Sequence, residues 1–458
     1  MTGDERAPSG SAIDIPRRAL SRSFRLASLP VGFAGRTALG LGKRIGGKPA
    51  ELVAAEMQAR TAQQLFSVLG QLKGGAMKMG QAMSIFEAAL PDELAEPYRA
   101  TLTMLQDRAP AMPPSVVERV LVQEMGVDWR ARFISFDLTP VAAASIGQVH
   151  RAVWHDGRNV AVKLQYPGAA EALISDFTQL SRVGRLVGAA MPGFDPGPAL
   201  TELKARVREE LDYQLEAQSQ HAFATAFEGD EHVLVPDVVF GTSKLLVSDW
   251  VDGIPLSVII ASGSQEQRDL AAGRYLEFLL SGPERSGLLH ADPHPGNYRL
   301  DDDGRLVVMD FGAVKHLPDG MPQVIGQMMS MALRSDPVSP DPGVARQVLQ
   351  GLRDQGFVLS SVTIDPVSLL RYVEPFLAPA RVPTFRFDRP WLREVFAHIN
   401  DPRRSSWSVG LRLNLPPEFL LIHRVWIGGI GVLCQISGEV QVPQVLAEHL
   451  PGFVLEDV

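Results

Sequence analysis

The stretch "LLHADPHPGNY", residues 288–298, and the nearby "VMDFGA", residues 308–313, decide how the whole chain is interpreted. Asp292 and Asn297 stand five positions apart, and Asp310 follows thirteen positions after Asn297. A plain turn does not require two aspartates and an asparagine at these offsets. We therefore take these three oxygen-bearing side chains as the candidate site and interpret the other motifs around them.

The prolines of the first stretch determine its local conformation. Pro293 and Pro295 push the residues before them, Asp292 and His294, out of the helical region toward extended backbone. His290 and His294 have the spacing of a helical zinc pair, but the prolines argue against the helix that such a pair needs. We therefore predict a fixed extended loop, with His290 in a structural role.

Oxygen ligands at this spacing suit phosphoryl transfer. Transfer from a nucleotide requires magnesium to neutralise the phosphate oxygens and a carboxylate beside the reacting group. Magnesium prefers hard oxygen ligands, which Asn297 and Asp310 supply, and this leaves Asp292 for the nucleophile. Kinase catalytic loops place an aspartate and an asparagine at this offset, with the DFG aspartate at a similar distance along the chain.

The composition limits the class of protein. The chain has 458 residues, of which 45% are hydrophobic and 21% charged, enough for two or three packed units. Its net charge of −8 excludes a nucleic-acid-binding protein as a whole. The only cysteine, Cys434, excludes an intramolecular disulfide and suits a reducing compartment.

The N-terminal region differs from the rest in charge. Residues 1–50 hold nine Arg or Lys against three acidic residues. We interpret residues 1–49 as a basic, largely disordered arm, with a weak electrostatic hold on an anionic membrane surface as the alternative. The most apolar stretch, 419–436, carries His423 and Arg424 and is predicted to be a buried helix rather than a membrane span. A cytoplasmic protein, with peripheral membrane attachment as the open alternative, follows from these features.

The order of the predicted elements indicates the fold class. Residues 50–127 have helical periodicity, residues 128–253 are rich in short β-runs, and residues 254–458 are mainly helical. The predicted strands are 132–137, 147–154, 158–165, 232–240, 244–250 and 305–310, and the predicted helices include 115–126 and 201–228. This order predicts an α+β, bilobal protein-kinase-like fold with an N-terminal helical extension.

A lysine and a helical glutamate form the second part of the candidate site. "NVAVKLQ" places Lys163 late in a strand, as in the kinase motif in which such a lysine holds nucleotide phosphates and pairs with a helix glutamate. "EELDYQLEA", residues 209–217, offers Glu210 and Glu216. On one helix these two glutamates project about 120° from each other, so they suit two different partners.

The loop expected to cover the phosphates is rich in alanine. Between the first two strands of the β-rich region the chain reads "PVAAASIGQVHRA", residues 140–152. Small residues allow backbone amides to approach a phosphate closely. The β-carbons of Ala142, Ala143 and Ala144 resist the positive φ that glycine accepts. A hairpin of small residues without a function is the alternative.

Five ordered motifs together resemble one family. "AAASIGQVHRA", "VAVKLQ", "ELDY..EA", "HADPHPGN" and "DFG" resemble those of the UbiB/AarF family of atypical, protein-kinase-like enzymes. "KMGQ", residues 78–81, resembles its Lys-x-Gly-Gln motif. The resemblance extends from about residue 50 to near the C-terminus.

The resemblance implies a role for each matching residue. Asp292 is the catalytic-loop carboxylate, and Asn297 and Asp310 bind magnesium. Lys163 holds the nucleotide phosphates and pairs with Glu216. The resemblance implies three further groups of site residues. The loop over the phosphates is formed by Ala142, Ala143, Ala144 and Ser145. Lys78 and Gln81 of the N-terminal extension engage Glu210 and Asp212, and Asp249 and Val251 contact the nucleotide.

The implied function is that of a magnesium-dependent, ATP-binding atypical kinase or ATPase. The resemblance places it in, or under the control of, lipid or isoprenoid metabolism of the quinone type, rather than in protein phosphorylation. Its expected partners are a nucleotide and a lipid, an isoprenoid or a membrane surface, and no nucleic acid. A nucleotide-gated lipid-binding scaffold with little turnover is the first alternative. A small-molecule phosphotransferase of the aminoglycoside or choline kinase type ranks after it, because such proteins lack the Lys-x-Gly-Gln and alanine-loop motifs.

Overall fold

A computed structural model describes residues 111–144, 146–171, 174, 211–401, 403 and 407–455. The predictions for residues 1–110, including Lys78 and Gln81, and those for Ser145 and Glu210 fall outside these ranges. Apart from Ile174, the described residues all belong to one unit of the chain. The mixture of helices with antiparallel sheet is the predicted α+β class.

The smaller lobe is built on an antiparallel sheet. Its strands follow the order β1-β3-β4-β7-β6, with the short β2 paired to β3. Helix α1 precedes the sheet, as predicted for residues 115–126, and α2 lies between β4 and β5 in the chain. The elements are α1 (Pro114–Met125), β1 (Phe133–Phe136), β2 (Ala142–Ala143), β3 (Gly147–Trp154), β4 (Asn159–Gln165), α2 (Tyr213–Ala226), β5 (Val233–Leu234), β6 (Val238–Gly241) and β7 (Leu245–Asp249).

Alternation along β4 sets the direction of its lysine. Val160, Val162 and Leu164 are fully buried in a core shared with α1 and with β1, β3 and β7. Because successive side chains of a strand point to opposite faces, Lys163 projects from the other face of the sheet. The periodicity of "NVAVKLQ" thus accounts both for the packing of the lobe and for the orientation of one polar side chain.

The predicted strand 232–240 is wrong in one respect, because it is two strands in two different sheets. β5 pairs in parallel with Leu306–Val308, strand β11 of the larger lobe, whereas β6 pairs antiparallel with β7 of the smaller lobe. Pro236 lies between them and has no N–H to continue a hydrogen-bonded ladder. The chain therefore changes lobes within residues 235–237.

The predicted helix 201–228 also needs correction. Helix α2 begins at Tyr213, because Asp212 has non-helical φ and ψ of −111° and 98° and its side chain accepts a hydrogen bond from the N–H of Gln214. The described part of the helix ends at Ala226. The 120° angle inferred between Glu210 and Glu216 assumed one uninterrupted helix and no longer has a basis.

The larger lobe surrounds a long helix, α4. The lobe contains β8 (Ile254–Pro255), α3 (Leu256–Ser262), α4 (Gln265–Ser286), β9 (Leu288–His290), β10 (Tyr298–Leu300), β11 (Leu306–Val308), β12 (Val314–His316), α5 (Gln323–Leu333), α6 (Pro342–Asp354), α7 (Pro366–Leu377), β13 (Phe385–Arg386), α8 (Arg389–Asn400), α9 (Trp407–Gly410), α10 (Pro417–Ile436), β14 (Glu439–Val440) and α11 (Val442–His449). A capping box of Ser264 and Gln267 starts α4, and Gly287 ends it with a φ of 68°. Because α4 ends at Gly287, the chain enters β9, and with it the first motif of the candidate site, directly after the helix.

Helix α10 contains the predicted buried helix 419–436. By length and composition it is the one helix in the described part of the chain that could cross a membrane, with a mean hydropathy of 1.7 in its most apolar window, of which 56% is buried. Phe419, Ile422 and Val425 belong to the main core of the lobe. At Gly429, a β-carbon would lie 2.8 Å from Cδ1 of Leu279, so the glycine permits close packing against α4. The buried face is that of a core helix.

Candidate active site

Lys163 lies at the centre of a cluster of charged groups. Its Nζ is 2.7 Å from Oε1 and 3.0 Å from Oε2 of Glu216 on α2. The same Nζ is 3.4 Å from Oδ2 of Asp310 in the larger lobe. The side chains of Lys163 and Glu216 are only 16% and 3% exposed. One ammonium therefore joins carboxylates from both lobes.

The cluster keeps the lysine charged. Burial alone would lower the pKa of Lys163, but the carboxylates of Asp310 and Glu216 outweigh it and raise that pKa above its ordinary value. The stabilisation from the cation is therefore complete below the unfolded-state pKa, about 10.4, and is lost only as the pH rises through the folded-state pKa. We expect no change in this ion pair near neutral pH.

The loop after β9 has the extended form that its prolines predict. His290 ends a strand and His294 has φ and ψ of −74° and 135°, so the two histidines do not share a helix. A short 3₁₀ turn, Pro295–Asn297, follows. In the described part of the chain no group of three or more His, Cys, Asp or Glu side chains is arranged to hold a metal ion.

Hydrogen bonds join Asp292, Asn297 and the strand before Asp310. Nδ2 of Asn297 donates to the backbone oxygen of Asp292 at 3.1 Å. The N–H of Met309 donates to the backbone oxygen of Asn297 at 3.0 Å. Because the Asn297 amide nitrogen points at the loop, the side-chain oxygen is the atom placed to act as a ligand.

The sequence predicts Asp310 at the end of a strand, but in the structure it lies in a turn. β11 stops at Val308, and the N–H of Gly312 donates to Oδ1 of Asp310 at 3.0 Å. Nε2 of His290 donates to the backbone oxygen of Asp310 at 2.5 Å, and the Tyr298 hydroxyl then donates to Nδ1 at 3.2 Å. His290 is thus a buried support for the turn that carries Asp310.

Two buried tyrosines, Tyr275 and Tyr298, support the loop of Asp292 and the turn of Asp310, and sequence reasoning did not identify them. The Tyr275 hydroxyl donates to the backbone oxygen of Pro293 at 3.0 Å. Burial, and then the Asp292 carboxylate, raise the pKa of Tyr275. Burial also raises the pKa of Tyr298, with further contributions from Tyr275, Asp292 and Asp310. Both carboxylates therefore act on the same buried ring, which brings the two motifs of the opening stretch to one place.

The alanine-rich loop is a tight hairpin between β2 and β3. Ala142 pairs with Val149 and Ala143 with Gln148, and the N–H of Ala144 donates to the backbone oxygen of Gly147 at 2.8 Å. Ala142 and Ala143 are exposed, and Ala144 is partly buried. The loop lies at the end of β3 where Gly147 pairs with Gln165, two positions beyond Lys163.

Two other sequence-derived contacts have different surroundings. Asp249 ends β7, and its Oδ1 is 3.3 Å from Nη1 of Arg158. Arg158 precedes the first residue of β4, whereas the alanine loop lies near the last residue of that strand. Burial raises the pKa of Asp249 although Arg158 opposes the effect. Val251 lies in the segment that connects the lobes.

Fold and site together define a protein-kinase-like protein with two lobes. The ABC1 atypical kinase-like domain family matches residues 104–338. The mitochondrial atypical kinase coq-8 of Caenorhabditis elegans is 32% identical over 65% of this chain and 41% of its own length. The mitochondrial atypical kinase COQ8 of Saccharomyces cerevisiae is 25% identical over 95% of this chain and 85% of its own length.

Among solved structures, the erythromycin complex of Rv3197 from Mycobacterium tuberculosis has 39% sequence identity and a TM-score of 0.69, covering 89% of this chain and all of the other. The chain belongs to the ABC1 atypical kinase-like family, which confirms the UbiB/AarF assignment made from its motifs. It spans about two fifths of the length of the Caenorhabditis relative and of the chloroplastic ACTIVITY OF BC1 COMPLEX KINASE 3 of Arabidopsis thaliana.

Proposed function

We propose that the protein is a magnesium-dependent atypical kinase or ATPase that binds ATP between its lobes. The observation that carries this proposal is the position of Lys163, held 2.7 Å from Glu216 and 3.4 Å from Asp310. In protein kinases a strand lysine must pair with a helix glutamate while the DFG aspartate holds the metal. The same three residue types meet here.

The residues at the candidate metal position fit magnesium. The Asn297 side-chain oxygen and the Asp310 carboxylate are hard oxygen donors, and the Asp310 side chain is 31% exposed. Magnesium keeps several waters and takes one or two carboxylates together with substrate phosphates, so it does not need a dedicated cluster of protein ligands. When bound, it would neutralise charge on the phosphate oxygens.

The side chains of the site divide the remaining work among them. The Lys163 ammonium holds phosphate oxygens, and Glu216 fixes its position. Asp292 lies on the rigid loop that Tyr275 and Asn297 support, where it orients the attacking hydroxyl or water and accepts its proton. The hairpin of Ala142, Ala143 and Ala144, together with Ser145, covers the phosphates and excludes water. We retain Lys78, Gln81, Glu210 and Asp212 as the contact between the extension and this cleft.

The substrate class that we propose is a lipid or isoprenoid of quinone type. The support is the family membership and the relatives, which include the mitochondrial atypical kinase coq-8 and the chloroplastic ACTIVITY OF BC1 COMPLEX KINASE 3. We propose a peripheral association with an anionic membrane surface through the basic N-terminal arm. Hydrolysis of ATP in the kinase-like site requires only the nucleotide, the metal and water.

An ATP turnover assay tests this function. We expect ADP release that requires Mg²⁺, stops when EDTA removes the metal, and increases when anionic rather than zwitterionic liposomes are added. The dependence on metal follows because charge neutralisation carries most of the catalysis in phosphoryl transfer. ADP release that continues unchanged in EDTA would contradict the magnesium mechanism.

A nucleotide-gated binding protein with little turnover is the second candidate. The observation that favours it is the similarity to Rv3197, whose structure is that of an erythromycin complex. Tight ATP binding without ADP formation, in the presence of lipid or of erythromycin, would support this alternative over the first.

A screen of soluble alcohols as phosphate acceptors tests the third candidate, a small-molecule phosphotransferase.

The alanine loop gives a separate prediction. Replacing Ala143 by glycine is expected to tighten binding of both ATP and ADP by about 2- to 5-fold. Ala143 is extended in β2, so the reason is that closing on the phosphates would draw the loop toward left-handed backbone, which costs alanine roughly 1–2 kcal/mol, of which glycine's added entropy gives back about 0.5–1. Isothermal titration calorimetry measures the two dissociation constants. Ala261→Gly, at an exposed position in α3, is the control, and equal affinities in Ala143→Gly and the parent protein would refute a phosphate-covering role.

A further inference from the structure

Tyr213 is a buried residue of the site to which no role has yet been given. It is the first residue of α2 and is only 1% exposed. Its backbone N–H donates to the backbone oxygen of Ser243 at 3.1 Å, which fixes the start of the helix. Its hydroxyl has no hydrogen-bond partner among the described residues. A buried hydroxyl of this kind requires an explanation, because most buried polar atoms are paired.

The hydroxyl lies between Lys163 and the base of the alanine loop. Nζ of Lys163 is 5.0 Å from the centroid of the Tyr213 ring. A β-carbon built on Gly147 would lie 2.9 Å from the Tyr213 oxygen and 2.2 Å from the backbone oxygen of Leu164. The absence of a side chain at Gly147 therefore leaves room for the hydroxyl beneath the hairpin, on the same side of the sheet as Lys163.

The hydroxyl is a hydrogen-bond donor under physiological conditions. Burial raises the pKa of the Tyr213 phenol, and the opposing effect of the Lys163 ammonium does not cancel this rise. The phenol therefore keeps its proton near neutral pH. The Lys163 ammonium and the protonated phenol are both hydrogen-bond donors, and a phosphate oxygen accepts from such groups. The carboxylates of Glu216 and Asp310, which also raise the pKa of Tyr213, are each paired with that ammonium.

We propose that the Tyr213 hydroxyl donates a hydrogen bond to a phosphate of the nucleotide held by Lys163. This inference rests on the proposed function, since it assumes that Lys163 binds phosphate. The bound phosphate satisfies the buried hydroxyl, for which the described residues supply no partner. Tyr213 is thus a phosphate-binding residue contributed by α2, the helix that also carries Glu216, so nucleotide binding and the position of this helix are connected.

Tyr213→Phe is the variant that tests the assignment. Phenylalanine keeps the ring beside Lys163 and removes only the oxygen. Because hydrogen bonds to charged groups are the stronger ones, we expect the dissociation constants of ATP and of inorganic tripolyphosphate to rise about 10-fold or more. The dissociation constant of adenosine, which has no phosphate, stays the same. The melting temperature without ligand stays equal or rises, since no hydrogen bond to the described residues is lost.

Tyr372→Phe is the matched control. Burial raises the pKa of this tyrosine too, but Tyr372 packs against a separate core cluster of the larger lobe formed by α5, α6, α7 and α9. We expect this variant to bind tripolyphosphate as the parent protein does. Unchanged tripolyphosphate affinity in Tyr213→Phe, an equal loss in both variants, or a lower melting temperature in Tyr213→Phe would each overturn the assignment. Absence of ATP binding in the parent protein would instead refute the proposed function itself.

Discussion

Replacing Lys163 by methionine is expected to lower the free energy of unfolding by about 3–5 kcal/mol, the cost of removing one partner from a buried ion pair. The change takes away the ammonium that compensates both Glu216, 3% exposed, and Asp310. Glu216→Gln should cost less, since Lys163 then retains Asp310. Urea denaturation followed by circular dichroism measures both changes.

A double variant and a pH series sharpen this prediction. Lys163→Met combined with Glu216→Gln should be more stable than Lys163→Met alone, because the uncompensated buried charge is gone. In Lys163→Met the buried carboxylate of Glu216 binds a proton more readily in the folded state than in the unfolded state. The free energy of unfolding should therefore rise as the pH is lowered from about 8 to about 5. The exposed Lys244→Met serves as control, with an expected change within about 0.5 kcal/mol. Equal stability of Lys163→Met and the parent protein would exclude a buried cluster.

Replacing Asp310 by asparagine is expected to reduce ATP turnover by roughly 100- to 1,000-fold, the usual cost of losing one electrostatic contact with the reacting group. Asparagine has the same size and still accepts the hydrogen bond from Gly312, so the turn should keep its form. The lost charge weakens the hold on the metal. Steady-state ADP release at saturating ATP, repeated over a range of Mg²⁺ concentrations, measures the effect.

The control for this variant comes from the neighbouring hairpin. Asp302 is exposed in the turn between β10 and β11, and Asp302→Asn should leave turnover within about 2-fold of the parent value. Circular dichroism shows whether Asp310→Asn is folded. A folded Asp310→Asn protein that hydrolyses ATP at the parent rate would refute the assignment of Asp310 to the metal.

Local sequence patterns predict much of this fold. The strand at 147–154 is found at the predicted residues, and alternation in "NVAVKLQ" gives both the strand and the direction of Lys163. Such patterns depend on neighbouring residues alone. They fail at 232–240, where β-propensity is continuous but the two halves join different sheets, because sheet membership depends on residues far away in the chain.

The site is predicted less completely, for a related reason. Asp292, Asn297 and Asp310 are visible in the sequence because their spacing is itself the signal. Tyr275 gives no such signal, and Tyr213 stands in the motif "ELDY..EA" without any indication of its role, since their contacts with Pro293 and Lys163 join distant segments. The start of α2 was misplaced because Asp212 can continue a helix or cap one, and only its backbone conformation decides between them.

The passage of the chain between the sheets limits how the cleft can open. Residues 227–232 connect α2 with β5, residues 235–237 connect β5 with β6, and residues 250–253 connect β7 back to β8. Phe223 of α2 and Phe227, just after it, also pack in the core of the larger lobe. With three connections and a shared helix, we expect the lobes to rotate about these connections rather than to slide past each other. Such a rotation would open the cleft by parting Lys163 from Asp310, the ion pair that joins β4 to the larger lobe.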